Sequence, residues 1–288
     1  MTIVELMIAM TIGLLISSVT LMLTMAGRSL YDADAARAEL NQNMRAAMGF
    51  VATDVRQAGE RLGSDFAALL INDGTSGAPD ELVVRRSLLT TVLRVCSDTS
   101  GTDTTIAIAQ AVTPPQGCAV VPDDDADGWP ENLQAWREHR LANGSSVRAY
   151  AYNPVTQLGE FFDYVDDDAP TFSIEAQSGI NWQFSYPVAD LSRIYILEER
   201  RYSLNGDMLQ ILVNDVAGTP LKLVAGVDDF QAVAVFQDFT QQNSLGPADI
   251  WSDLRSIQIE LRGSVAGGDG TIERTWSNEI MPRNILSQ

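Results

Sequence analysis

The hydrophobic pattern changes twice along this chain. It begins as an unbroken apolar run: from Leu6 to Ala26 there is no ionisable residue, and the one charge before it is Glu5. As a helix these ~21 residues reach ~30 Å at ~1.5 Å each, the thickness of a bilayer's hydrocarbon core. A 3.6-residue period follows. Leu30, Ala33, Ala36, Leu40, Met44, Ala47, Val51, Val55, Ala58 and Leu62 fall three or four apart, with Arg37, Glu39, Gln42, Arg45, Asp54 and Arg56 between them. The spacing predicts that a membrane-spanning half (1–27) runs straight on into an amphipathic half (28–62). One stripe of that second half should pack on the rest of the chain. The many alanines and the lack of sustained leucine argue against a coiled-coil dimer. Gly59 and Gly63 offer stop signals. Gly13, Ser17, Ser18 and Thr20 weaken helix propensity inside the apolar half, and they read either as a soft point or as small residues for close helix packing.

Beyond Gly63 the period shortens towards two. Glu81–Arg86, Thr104–Val112, Ser146–Tyr152, Ile180–Tyr186, Arg193–Tyr202, Met208–Val213, Phe230–Phe236 and Ser256–Arg262 are rich in β-branched and aromatic residues. Asn205-Gly206 supplies the positive φ angles of a tight hairpin turn. Pro130–Arg140 predicts a short helix, while the acidic stretches Asp123–Asp127 and Asp163–Asp168 read as surface loops. The fold class expected is α+β: a long N-terminal helix on one β-rich globular domain (63–288).

Charge narrows the partners. The formal net charge is -19, with 19 basic residues against 38 acidic ones. The first 62 residues hold five arginines and six acids, so almost all of the excess belongs to the β-rich part. A surface that acidic repels nucleic acid and anionic lipid, so no nucleic-acid partner is expected. Catalytic motifs are missing: there is no Gly-x-Ser-x-Gly elbow, no paired-histidine or Cys-x-x-Cys metal spacing, and no phosphate-cradling loop. The single histidine, His139, lies among Arg137, Glu138 and Arg140 and reads as solvated. The enzyme reading is disfavoured. A metal reading is carried by Asp123-Asp124-Asp125-Ala126-Asp127-Gly128, where acids at alternate positions followed by Gly match the opening of a calcium loop. Glu131 falls at the ninth position, but Gln134 stands where a bidentate glutamate belongs, and Pro130 makes the loop less standard. Calcium on Asp123, Asp125 and Asp127 and a plain acidic turn both remain open.

Glu5 needs a reason, because a carboxylate at the edge of a bilayer core is costly. No basic residue precedes the apolar run and no small-residue cleavage site follows it, so an ordinary signal peptide is not expected. Thr2-Ile3-Val4-Glu5-Leu6-Met7-Ile8-Ala9-Met10 resembles the mature N-terminus of type IV pilins and type II secretion pseudopilins after prepilin peptidase has cut behind a leader glycine. Asn43-Met44-Arg45-Ala46-Ala47 and Asp54-Val55-Arg56-Gln57-Ala58-Gly59 resemble the minor pilins of the PilW class, relatives of the J-type minor pseudopilins. Val224-Ala225-Gly226-Val227-Asp228-Asp229-Phe230 and Met281-Pro282-Arg283-Asn284 fit more loosely. The family usually begins its mature chain with Phe, where this chain has Met1.

The resemblance implies assembly roles for Met1 and Glu5, the Glu5 carboxylate meeting the N-terminal amine of a neighbouring subunit. It implies a minor pilin that joins other minor pilins, primes polymerisation of a major pilin and stays near the filament tip, where a large tip adhesin is a further partner. The alternatives are a J-type pseudopilin of a type II secretion system and, from another class, a membrane-tethered β-domain enzyme or ligand-binding protein. Arg28, Arg37 and Arg45 all follow the span, which the positive-inside rule alone would call cytoplasmic. In the resembling family the basic residues sit in the removed leader, which places the β domain outside the inner membrane and later on the extracellular filament. In that compartment Cys96 and Cys118 are expected to form a disulfide.

Overall fold

A computed structural model describes residues 3–215, 218, 220–249, 251–267 and 270–285. Helix α1 (Ile3–Gln57) is unbroken over 55 residues, about 80 Å at 1.5 Å per residue. Every described residue up to 28 is exposed, and the first buried one is Ala36. From there Leu40, Met44, Ala47, Met48, Val51, Ala52 and Val55 turn one face inward. The expected stripe is therefore real from Ala36 onward; Leu30 is 66% exposed. The helix stops at Gln57 rather than Leu62. Gly59, the first of the two expected stops, takes φ +78°, and a Cβ there would collide with the Trp251 indole. Its N–H donates to the Arg85 carbonyl at 2.9 Å, which hands the chain from helix to sheet. The zone around Gly13, Ser17, Ser18 and Thr20 stays helical, with Ser17 and Thr20 donating to carbonyls four residues back at 2.8 Å.

The strands that follow are β1 (Leu69–Asn72), β2 (Glu81–Ser87), β3 (Leu93–Arg94) and β4 (Thr105–Ala107). After helix α2 (Glu131–Ala142) come β5 (Val147–Asn153), β6 (Leu158–Asp168), β7 (Ser173–Ala176), β8 (Arg193–Tyr195), β9 (Leu197–Asn205) and β10 (Met208–Val213). The last are β11 (Leu221–Ala225), β12 (Asp229–Phe236), β13 (Gln241–Gln242), β14 (Leu254–Gly267) and β15 (Gly270–Ile280). They form three sheets with strand orders β1-β2-β9-β10-β11, β13-β12-β14-β15 and β3-β8-β5-β6-β7-β4. Every ladder among them is antiparallel. The chain is thus α+β, one long N-terminal apolar helix packed on a β-rich domain with several antiparallel sheets.

Among the described residues, two hydrophobic cores hold it together. In the first, the inner face of α1 lies with the five- and four-stranded sheets, and Leu40, Met44 and Val51 share that core with Phe230, Ile257 and Leu261. In the second, Leu133 and Trp136 of α2 pack with Phe162, Tyr164, Trp182 and Tyr186 of the six-stranded sheet and its loops. All strands of that sheet lie between β2 and β9, so it is an insertion that leaves the five-stranded sheet and returns to it.

Several expectations change. Asp163–Asp168 is no loop but part of β6, because its acids find cations: Asp163 meets Arg148 at 3.0 Å, and Asp167 is gripped by Arg140 at 2.5 Å. Ile180–Tyr186 is irregular rather than a strand. Ile180, Trp182 and Tyr186 are buried in alternation, but the Glu160 carboxylate rather than a neighbouring strand binds the Gln183 and Phe184 N–H groups. The expected strand Thr104–Val112 shrinks to β4. His139 is half-buried rather than solvated, and that burial lowers its pKa. The hairpin at Asn205-Gly206 joins β9 to β10, with Gly206 at φ +63°.

Candidate functional site: a two-part helix, its anchor, and an acidic loop

The anchor of α1 is polar inside an apolar seam. Asp54 sits on the buried face between Val51 and Val55 and is only 5% exposed. Arg200 of β9 donates to its Oδ1 at 2.8 Å, and the Tyr202 hydroxyl makes a short hydrogen bond to Oδ2. Arg200 also reaches Glu198 at 3.1 Å. Arg86 of β2 bonds both Glu198 and the side chain of Gln57 at short range. Burial, and then the Asp54 carboxylate beside it, hold the Tyr202 phenol above its ordinary pKa, so it remains a donor. Burial opposes the charges of Arg200 and Glu198, yet their partners outweigh it. Arg200 is raised by Asp54 and Glu198, and Glu198 is lowered by Arg86 and Arg200. A partly buried charged cluster centred on a buried carboxylate favours one geometry, so it fixes both the rotation and the axial position of the helix on the sheet.

The other quoted motif segments meet at the same seam. Asn43 Nδ2 donates to the Ala225 carbonyl at 3.2 Å. Gly263 leaves the room that Met44 and Leu40 occupy, where a Cβ would collide with the Gly226 carbonyl and press on the Met44 methyl. Asn284 donates to the Ala58 carbonyl at 3.1 Å, next to the last turn of the helix, where carbonyls lack partners. Arg200, Tyr202, Glu198 and Arg86 were not singled out from sequence. Their signal is an acid, Asp54, set inside an apolar stripe, which implies partners opposite it.

The outer half of α1 contrasts with this. Ile3, Leu6, Met7, Ile12, Leu14, Leu15, Leu21, Met22 and Leu23 are each at least half exposed around its whole circumference. Among the described residues it is the one helix long and apolar enough to cross a membrane, which is consistent with single-pass anchoring. Glu5 stands in its first turn, where a carboxylate complements the positive end of the helix dipole. Met1 lies outside the described residues.

Asp123, Asp125 and Asp127 converge. Each offers a carboxylate oxygen within 4.8 Å of the others, and all three are exposed. Oxygen donors so grouped suit a hard divalent cation. The same carboxylates also close the turn by themselves: Asp123 accepts from Gly128 N at 2.8 Å, and Asp127 accepts from Trp129 N at 2.9 Å. Gln134, at the twelfth position, donates its amide to Asp127 at 3.0 Å instead of offering a ligand. The two readings separate by melting. A bound ion at a hundredfold excess over Kd adds ~2.7 kcal/mol, so calcium should raise the melting temperature of the full chain beyond magnesium at matched ionic strength. Asp125→Asn should remove that difference. An equal response to both ions, unchanged in the variant, leaves a self-bonded acidic turn.

Cys96 and Cys118 are joined as a disulfide, Cα to Cα 5.7 Å, both buried beside the second core. The bridged cysteines are 22 positions apart in sequence. Reduction should cost ~3 kcal/mol in the chain-entropy account, read as a lower denaturant midpoint, and thiol labelling of the unreduced, unfolded chain should find no free cysteine.

No protein-family model matches the chain, and no curated protein matches it.

Proposed function

We propose that this chain is a minor pilin of the PilW class, which enters a complex of minor pilins in the inner membrane, primes polymerisation of a major pilin, and stays near the filament tip. The observation that carries the reading is the division of α1. Its inner half is locked by a charge cluster around the buried Asp54, while its outer half presents bare apolar surface on every side. A helix built like that suits lipid first and a bundle of like helices afterwards, and the rigid anchor transmits the bundle's register to the β domain. The N-terminal run with Glu5 supports the pilin resemblance, and the Asn43 and Asp54 segments, which meet the β domain at the anchor, support the PilW class. In this role the protein works by binding, not catalysis, and its partners are other minor pilins, the major pilin and a tip adhesin.

The test is genetic and biochemical. Removing the chain from its own cell should sharply reduce surface filaments, and an epitope-tagged copy should appear in the sheared filament fraction at low stoichiometry. Normal filament numbers without the chain, together with its absence from sheared filaments, would overturn the proposal.

A further inference from the structure

A groove of about 310 Å³ lies between the five-stranded and six-stranded sheets, at the lower end of the range for small-molecule sites. Its lining is unusual for so acidic a chain. Arg85, Arg148 and Arg201 face Glu160, Glu199 and Asp215, an even balance in a protein with twice as many acids as bases. Each cation has an acidic partner, Arg85 and Arg201 with Glu199 at 2.8 and 3.2 Å and Arg148 with Asp163 at 3.0 Å, while the buried Nε atoms of Arg148 and Arg201 have no hydrogen-bond partner. Aromatic faces stand among them, with the Arg148 guanidinium 5.5 Å over Phe161 and that of Arg85 5.3 Å over Tyr150.

The walls are preformed. Arg85 comes from β2, Arg148 and Tyr150 from β5, Glu160 and Phe161 from β6, and Glu199 and Arg201 from β9. Two lining segments are irregular: Asp215 stands in the turn after β10, and Gln183-Phe184 is tied down where Glu160 Oε1 accepts both N–H groups, at 2.9 and 3.0 Å. With most of the lining held on strands or a pinned segment, the site forms without a large ordering cost.

We infer that this groove binds a neutral saccharide. With three guanidinium groups set among three carboxylates, an anion would meet Glu160, Glu199 and Asp215 and a cation would meet Arg85, Arg148 and Arg201, so neither sign of charge is favoured. An apolar ligand would strip water from ionised groups and return nothing. Sugar hydroxyls both donate and accept, so they bridge fixed guanidinium and carboxylate groups without adding charge, while the C–H face of a ring lies against Phe184. This chemistry stands apart from the pilin reading and survives or fails without it.

The test uses the full chain in a zwitterionic detergent that has no sugar headgroup. Cellobiose, maltose and N,N′-diacetylchitobiose are titrated against it by calorimetry and saturation-transfer NMR, with citrate as the anionic comparator. At least one disaccharide should saturate at millimolar concentration. Arg148→Gln should weaken it about tenfold, the scale of one hydrogen bond to a charged group. Gln183→Ala, which trims an exposed side chain and keeps the pinned backbone, should also weaken it, by several-fold. Both variants should keep the wild-type melting temperature to within a few degrees. The inference falls if no disaccharide saturates, if citrate binds more tightly than any of them, or if both folded variants bind like wild type.

Discussion

Replacing Glu5 with Ala should leave the β domain folded and the chain inserted in its membrane, while sharply reducing its recovery in filaments. The anchor cluster and both cores begin at Ala36 or later, well inside the helix, so nothing at position 5 supports them. Insertion should not suffer either, because the substitution removes a charge from an apolar helix. The loss should appear where subunits meet. In the proposed packing the carboxylate faces the N-terminal amine of a neighbour inside a bundle of apolar helices, away from water. Removing one partner of a buried pair costs ~3–5 kcal/mol, and roughly 1.4 kcal/mol already corresponds to tenfold in occupancy. Recovery in sheared filaments should therefore fall by tenfold or more at equal membrane abundance. Glu5→Asp keeps the charge on a shorter arm and should fall between the two. If Glu5→Ala enters filaments at the wild-type level, the carboxylate does not set the register.

What could be read from the sequence was set by local physics. The apolar run, the stripe from Ala36, the Asn205-Gly206 turn and the short helix near Trp136 each follow from spacing or from a residue's own φ preference. The structure keeps all four. Long-range pairing was not legible. Asp163–Asp168 looks like a solvated loop until Arg140 and Arg148 are brought alongside, and no local rule places them there. Ile180–Tyr186 alternates like a strand because its side chains alternate between core and surface, while a carboxylate does the work of a neighbouring strand. The long β15 was missed because its outward residues are polar and its inward ones few. Nor does spacing announce that residues between β2 and β9 build a second core of their own. At the candidate site, Asp123, Asp125 and Asp127 meet as the motif implied. Asp54, by contrast, passed for a surface acid because its partners lie about 150 residues away.

Asp54→Ala should be the most damaging single change to the β domain's hold on the helix. It leaves Arg200 and the Tyr202 hydroxyl facing an apolar seam, and both lose their principal acceptor at once. Breaking one side of a buried, hydrogen-bonded charge cluster costs ~3–5 kcal/mol. That is a large fraction of the ~5–15 kcal/mol by which a typical domain is stable. Arg200 is about one-third exposed and can turn towards water, so the lower end of that range, ~3 kcal/mol, is the better expectation. Asp54→Asn keeps an acceptor for Tyr202 and should cost less. Arg200→Ala should cost less again when made in the Asp54→Ala background than alone, because the two share one interaction. Acid gives a second readout. Glu198, in the same cluster, has its pKa lowered in the fold, so its contribution is present above the ordinary carboxylate range near ~4.3 and is lost as pH falls below it. Melting curves of the full chain at neutral and acidic pH would show both effects, and limited proteolysis near Gln57 would show whether the helix end has come loose. If Asp54→Ala melts like the wild type and resists protease equally, the apolar stripe alone holds the helix and the charged cluster is incidental.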